Sequence, residues 1–422
     1  MISNLRKLGA MLFRAAMRCI LVVPVLPVLY LIEPFYRIRF GTMYTQRIGH
    51  LAANADILLR GLQLENAPPR SLYLIFGWDP CNRQLFDMWL RIAVPGVRFI
   101  ESRFGTRILF AWRPILTKTR FWRDHRVAGT EYYLYNHTKP VLSFTEDEER
   151  KGRALLAEMG IGPDDWFVCF HARDGAYFRK WRPELEEHWK KRDFRNVDIT
   201  RFLKAAEYIA SRGGFALRFG AHVEKPLPDT GNPRIIDYST KFRNDFMDIY
   251  LCAKCRFFIG CASGPDILPT AFNVPVLSAG HFPYNHSHYR QGDIIIPRLL
   301  VMPGGGRPVG YWEAQKAGYY VGWKEAVASH SSMHLFDMLD VDPDDIVDGC
   351  KDMLDALAGK EPTPEAREIQ EFYAGRYLSH ADGYRHAARI APSFALKYQH
   401  LIMPSADGAA RPGGRPMVKA MK

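Results

Sequence analysis

Short apolar runs alternate with amphipathic stretches along most of this 422-residue chain. In the first half, a strand-like segment from Arg39 to Arg47 leads through Ile48-Gly49-His50 into a helical pattern over Leu51 to Leu64. Strands are predicted at 71–77 and 97–100, with a helix at 81–92 between them. Residues 118–143 are aromatic and irregular, after which Thr145-Glu-Asp-Glu148 reads as a capping box that opens a helix to Met159. Trp166-Phe-Val-Cys-Phe-His171 lacks polar alternation, as expected of a strand buried on both faces of a parallel sheet. Further strands are predicted at 215–219, 234–237, 256–260 and 274–278, and helices at 198–211, 244–253 and 266–272. Asp342-Pro343 and Thr363-Pro364 each open a C-terminal helix. This βαβ rhythm predicts an α/β fold with two Rossmann-like domains, at 36–143 and 144–340, then helices over 341–403 and a disordered tail over 404–422.

Residues 1–35 have another pattern. From Leu5 onward, Leu8, Leu12, Phe13, Ala16, Met17 and Ile20 fall opposite Lys7, Arg14 and Arg18 at about 100° per residue, which is a basic amphipathic helix. The uncharged stretch from Cys19 to Ile32 is shorter than the ~20 residues a bilayer span requires and is broken by Pro24 and Pro27. The segment is expected to be a membrane-associated helix, peripheral or monotopic, on a cytoplasmic membrane face. A bitopic anchor and a helix packed on the protein are the alternatives.

Candidate chemistry lies in three loops that follow strands of the second domain, where doubly wound sheets bind ligands. The first is His171-Ala-Arg173-Asp174-Gly175-Ala-Tyr177, whose guanidinium is suited to two phosphate oxygens and whose glycine and tyrosine suggest a shaped pocket. In the second, Arg218 is either a phosphate or ribose contact or a structural ion-pair partner. The third, Ser263-Gly264-Pro265-Asp266, opens a helix whose amides suit a diphosphate, with Asp266 also able to serve as a cap. In the first domain, Gly49 is placed to allow close approach to a bound group, with His50 beside it. No GxxxxGK[ST] or strand-linked GxGxxG occurs, which disfavours an ATPase and an ordinary dehydrogenase. His281, His286 and His288 lack clear ligand geometry, and no metal is expected.

Composition narrows the partners. The seven cysteines are an odd number and several sit in apolar runs, which suits reduced, buried thiols, with Cys252-Ala-Lys-Cys255 read as core. The formal net charge of +12 favours an anionic partner. Residues 1–60 hold +6 of it and the tail from Pro404 holds +3, so the core is nearly balanced and nucleic acid is not expected as a partner.

The segments Phe170-His-Ala-Arg-Asp-Gly-Ala-Tyr177, Phe194-Arg-Asn-Val-Asp-Ile199, Asp245-Phe-Met-Asp248, Cys255-Arg-Phe-Phe-Ile-Gly260 and Ser263-Gly264 together resemble a bacterial family of predicted glycosyltransferases, as does Ile48-Gly49-His50. The HxR loop is more distantly similar to that of GT-B fold fucosyltransferases. The resemblance implies a GT-B-like fold whose domains face across a cleft. It places a nucleotide-sugar donor on the second domain, with Arg173 on the diphosphate and Ser263 and Gly264 cradling it, and a glycan or lipid-linked acceptor on the first. It implies a hexosyl- or deoxyhexosyltransferase of surface polysaccharide or glycoconjugate synthesis. Inverting transfer without metal or other cofactor is expected, with Asp174 or His50 as base. A nucleotide-sugar epimerase or hydrolase of the same fold and a non-enzymatic basic membrane-binding protein are the rival readings.

Overall fold

The computed structural model describes residues 24–65, 70–123, 134–190, 193–282, 290–317, 335–377 and 388–403. The basic helix expected before residue 24, His286 and His288, and the tail from residue 404 lie outside them.

Two α/β lobes are found, as the alternation predicts. In the first, α1 (Val25–Ile32) precedes a parallel sheet of β1 (Arg37–Thr42), β2 (Ser71–Gly77) and β3 (Val97–Glu101), in that spatial order. Helix α2 (Ile48–Leu64) crosses from β1 to β2, and α3 (Arg83–Leu90) from β2 to β3. Helix α4 (Arg103–Leu116) follows β3 and was not predicted; its apolar run Ile108-Leu-Phe-Ala-Trp112 has no clean period. Asn82 and Ser102 cap α3 and α4 by accepting from the amides of Leu85 and Gly105.

The second lobe opens with α5 (Glu146–Glu158), and the Thr145 capping box forms as expected. Its sheet contains β4 (Phe167–Phe170), β5 (Phe215–Arg218), β6 (Ile235–Ile236), β7 (Phe258–Gly260), β8 (Val276–His281), β9 (Ile294–Pro297) and β10 (Arg389–Ile390). All neighbours are parallel in the order β10-β9-β8-β7-β4-β5-β6. Strands β4, β5, β7, β8 and β9 are buried throughout, which explains their unbroken apolar sequences. The C-terminal segment belongs to this lobe, because β10 extends the sheet beside β9 and Pro343–Leu357 packs its Ile346, Cys350 and Met353 into the core.

The lobes meet along α2, whose every residue from Leu51 to Gly61 is buried and whose amino end lies at the carboxyl edge of both sheets. Fully buried Arg60 ion-pairs with Asp56 at 2.8 Å, lies over the Tyr135 ring and donates 2.8 Å to the Ala271 carbonyl of the second lobe. At the start of α2, a Cβ added to Gly49 would stand 2.9 Å from the Gly264 Cα and 3.1 Å from its carbonyl oxygen. Two glycines therefore let the backbones of the two lobes touch. Asn82 adds a third tie, donating 2.9 Å to the Asp245 carbonyl.

Gly49→Ala should therefore lower stability by about 1–3 kcal/mol through backbone overpacking. Gly61→Ala in the same helix, with its nearest neighbour at an ordinary 3.8 Å, should be neutral or stabilising, as helix propensity dictates. Thermal unfolding of the two variants checks this; equal losses would contradict the packing argument.

Candidate active site

Strand β4 opens its sheet, and the chain then builds β5 and β6 on one side and β7 to β9 on the other. Connections leaving β4 and β7 therefore diverge, which makes a topological switch point with a crevice at the strands' carboxyl ends. The loops from His171 and from Cys261 meet there. The His171 amide donates 2.8 Å to the Ile259 carbonyl, and the Arg173 amide donates 2.9 Å to Cys261 Sγ.

Arg173 is 6% exposed, and its guanidinium donates to the Asn196 side-chain oxygen. His171 bonds through Nδ1 to the Phe219 carbonyl at 3.0 Å, and burial pushes its pKa down to about 4, so the ring is neutral. Asp174 accepts from the Ala176 amide with one oxygen and from the Glu224 amide with the other, each at 3.0 Å. It joins the loops after β4 and β5. Tyr177 stacks on His222 and donates 2.7 Å to the Gln46 carbonyl of the first lobe.

Two expected anion contacts have partners within the protein. Arg218 is 3% exposed, ion-pairs with Asp237 at 3.1 Å and donates to the Lys225 carbonyl, which is the structural alternative of the sequence reading. Ser263 gives its amide and its hydroxyl to Asp266, each at 3.1 Å, because a buried carboxylate three residues ahead closes a capping box. Gly264 is occupied with Gly49. His50 is half-buried beside Tyr44, with Nδ1 3.4 Å from Asn54 Oδ1. Burial, reinforced by Arg47, holds its pKa below the ordinary 6.5.

The sequence reading missed three residues that join Arg173 at this edge. Arg298 leaves the carboxyl end of β9 and donates 2.7 Å to the Phe194 carbonyl and 2.9 Å to the Asn196 carbonyl. Arg195 points to the Ala262 carbonyl at 3.5 Å, and Asn196 bridges Arg173 to Arg298. The signal for Arg298 was the one that singled out Arg173, an arginine just past a buried run, here Ile294-Ile-Ile-Pro-Arg298. A cavity of about 430 Å³ opens beside Arg298, with Asp193, Asp337 and Asp340 on its wall. Among the described residues, no group of His, Cys, Asp and Glu is arranged to hold a metal ion.

No protein-family model matches the chain, and no curated protein matches it in sequence. Among solved structures, it is similar to a glycosyl transferase family 9 protein from Veillonella parvula, at 12% identity and a TM-score of 0.43, covering 76% of this chain and 97% of that one. It is also similar to the E. coli ADP-heptose LPS heptosyltransferase II, at 10% identity and a TM-score of 0.42, covering 76% of this chain and all of the other. E. coli heptosyltransferase WaaC with ADP is similar at 12% identity and a TM-score of 0.29, over 70% of this chain and 100% of that chain.

Removing Arg218 leaves Asp237 buried without its cation. Arg218→Ala should cost about 3–5 kcal/mol of folding stability. Denaturant titration checks this, and a fully stable variant would return Arg218 to the ligand side.

Proposed function

We propose that this chain is a glycosyltransferase that moves a sugar from a nucleoside-diphosphate donor to a glycan or lipid-linked acceptor. The observation that carries the reading is the convergence of Arg173, Arg195 and Arg298 on the carboxyl edge of the second sheet at its switch point, beside the first lobe's α2 terminus. Arginines fixed there by Asn196 and backbone carbonyls, with Asp340 3.8 Å from Arg298, suit a diphosphate, whose charge grows as the sugar departs. The carboxylates of the adjoining cavity keep lone pairs for sugar or ribose hydroxyls beside their contacts with Arg298, Asn196 and the Gly304 amide.

The reaction proposed is inverting and metal-independent. The acceptor hydroxyl attacks the anomeric carbon opposite the diphosphate, the bond from carbon to phosphate oxygen breaks, and its electron pair passes to the diphosphate held by Arg173. A base takes the hydroxyl proton. His50 suits this step, since its lowered pKa keeps it neutral at pH 7, and a proton on Nδ1 directed at Asn54 leaves the lone pair on Nε2. Asp174 serves the loops, with both oxygens engaged by amides. The proposed setting is the cytoplasmic face of the bacterial inner membrane, in surface glycoconjugate synthesis.

Thermal shifts with GDP-, UDP-, ADP- and CMP-sugars test the donor. One class should stabilise the protein, and Arg173→Ala should abolish that shift while leaving the unliganded protein folded. Stabilisation by none of them contradicts the reading. With the stabilising donor in hand, kcat/KM should fall on the acid side with a midpoint below pH 6.5, as His50 protonates, and His50→Ala should remove that limb along with most activity. A limb centred at or above 6.5, or one that survives in the variant, excludes His50 as base.

A further inference from the structure

The outer side of the first lobe carries a surface that the donor crevice does not explain. Helices α1 and α4 pack together through Leu29, Leu109 and Leu116 with Phe121, and this small core is separate from the main one. Their outward residues are apolar where a soluble surface would be polar. Phe104 is 76% exposed, Leu31 73% and Phe35 72%, with Val28 and Phe110 also exposed. Residues 102–123 contain six Arg and Lys and no carboxylate. In residues 24–36 the one acid is Glu33, which is neutralised by Arg39 at 2.8 Å. On α4, Arg103, Phe104, Arg107 and Phe110 are all exposed and share one helical face, so cations and rings alternate along it.

We propose that α4 and α1 form a docking face for an anionic lipid bilayer. Aromatic and aliphatic side chains bury in the boundary between headgroups and acyl chains while arginines meet lipid phosphates, and both needs are met on this face. Nucleic acid would use the arginines and the rings but has no place for Val28, Leu31 and Phe35. The face also leads to the cleft. Arg103 and Arg107 lie over the ring of Trp78, 5.0 and 5.8 Å from its centre, and Trp78 directly follows β2 at the edge where the lobes meet. A bilayer on α4 therefore delivers its own lipids to the acceptor side, so the acceptor is a lipid-linked one. This last step rests on the glycosyltransferase reading; the docking face does not.

The test uses the full chain with phosphatidylcholine vesicles, with and without phosphatidylglycerol. Phe104→Asp with Phe110→Asp should weaken binding to the anionic vesicles by at least about tenfold. Arg103→Gln with Arg107→Gln should abolish the preference for anionic over neutral vesicles. A nitroxide on Phe104→Cys should move from water into oxygen-rich surroundings when vesicles are added. Unchanged binding by the Asp variant, or a label that stays in water on vesicle-bound protein, overturns the proposal and assigns binding to another segment. Loss of binding to single-stranded nucleic acid with vesicle binding intact also overturns it. Stabilisation by the donor sugar nucleotide should persist in both double variants. Vesicle binding as expected with no stabilisation by any sugar nucleotide leaves the docking face standing and defeats the glycosyltransferase reading alone.

Discussion

Everything in the cleft depends on how α2 is held between the lobes. Its amino end touches the second lobe through Gly49 against Gly264, and its far half is tied there by Arg60 to the Ala271 carbonyl. A helix buried along its whole middle has no room for a solvated charge, so Arg60 must be matched inside, and Asp56 supplies the match. Burial raises the Asp56 pKa to about 6 even though Arg60 pulls it down. Such a pair adds little net stability but is costly to break, which suits a contact whose task is to fix position. It places His50 at the lobe junction.

The electrostatics of the crevice follow from the same economy of placement. Arg173 and Arg298 at the carboxyl edge of the second sheet are held by backbone carbonyls, one asparagine and, for Arg298, Asp340 at 3.8 Å, so the protein itself fixes their positions. Preorganised cations of this kind stabilise charge in a transition state without reorganising. The overall charge of +12 is a poor guide to this, since most of the excess lies near the amino terminus and in the tail. What matters for the proposed transfer is the position of three guanidinium groups.

Much of the fold was legible in the sequence because buried parallel strands leave unbroken apolar runs and capped helices leave short polar signatures. β4, β5 and the Thr145 box were read that way. β9 and β10 were missed, the first because the apolar run Ile294-Ile-Ile is only three residues long, the second because two residues carry no period. The site was legible in outline: Arg173 and the loops around it come together at the switch point. The choice between the two readings of Arg218 was not, because an arginine that faces a ligand and one that pairs with Asp237 have the same local sequence. Only long-range pairing distinguishes them. Likewise Gly49 is expected to allow close approach of a bound group, and what approaches it closely in the structure is the backbone at Gly264.

The most direct test of the account is a crystal structure with the sugar nucleotide that stabilises the protein. The diphosphate should lie within hydrogen-bonding distance of the Arg173 guanidinium, between the loops that follow β4 and β7, with the anomeric carbon turned toward His50. A diphosphate bound away from Arg173, or a sugar facing away from the first lobe, would contradict it.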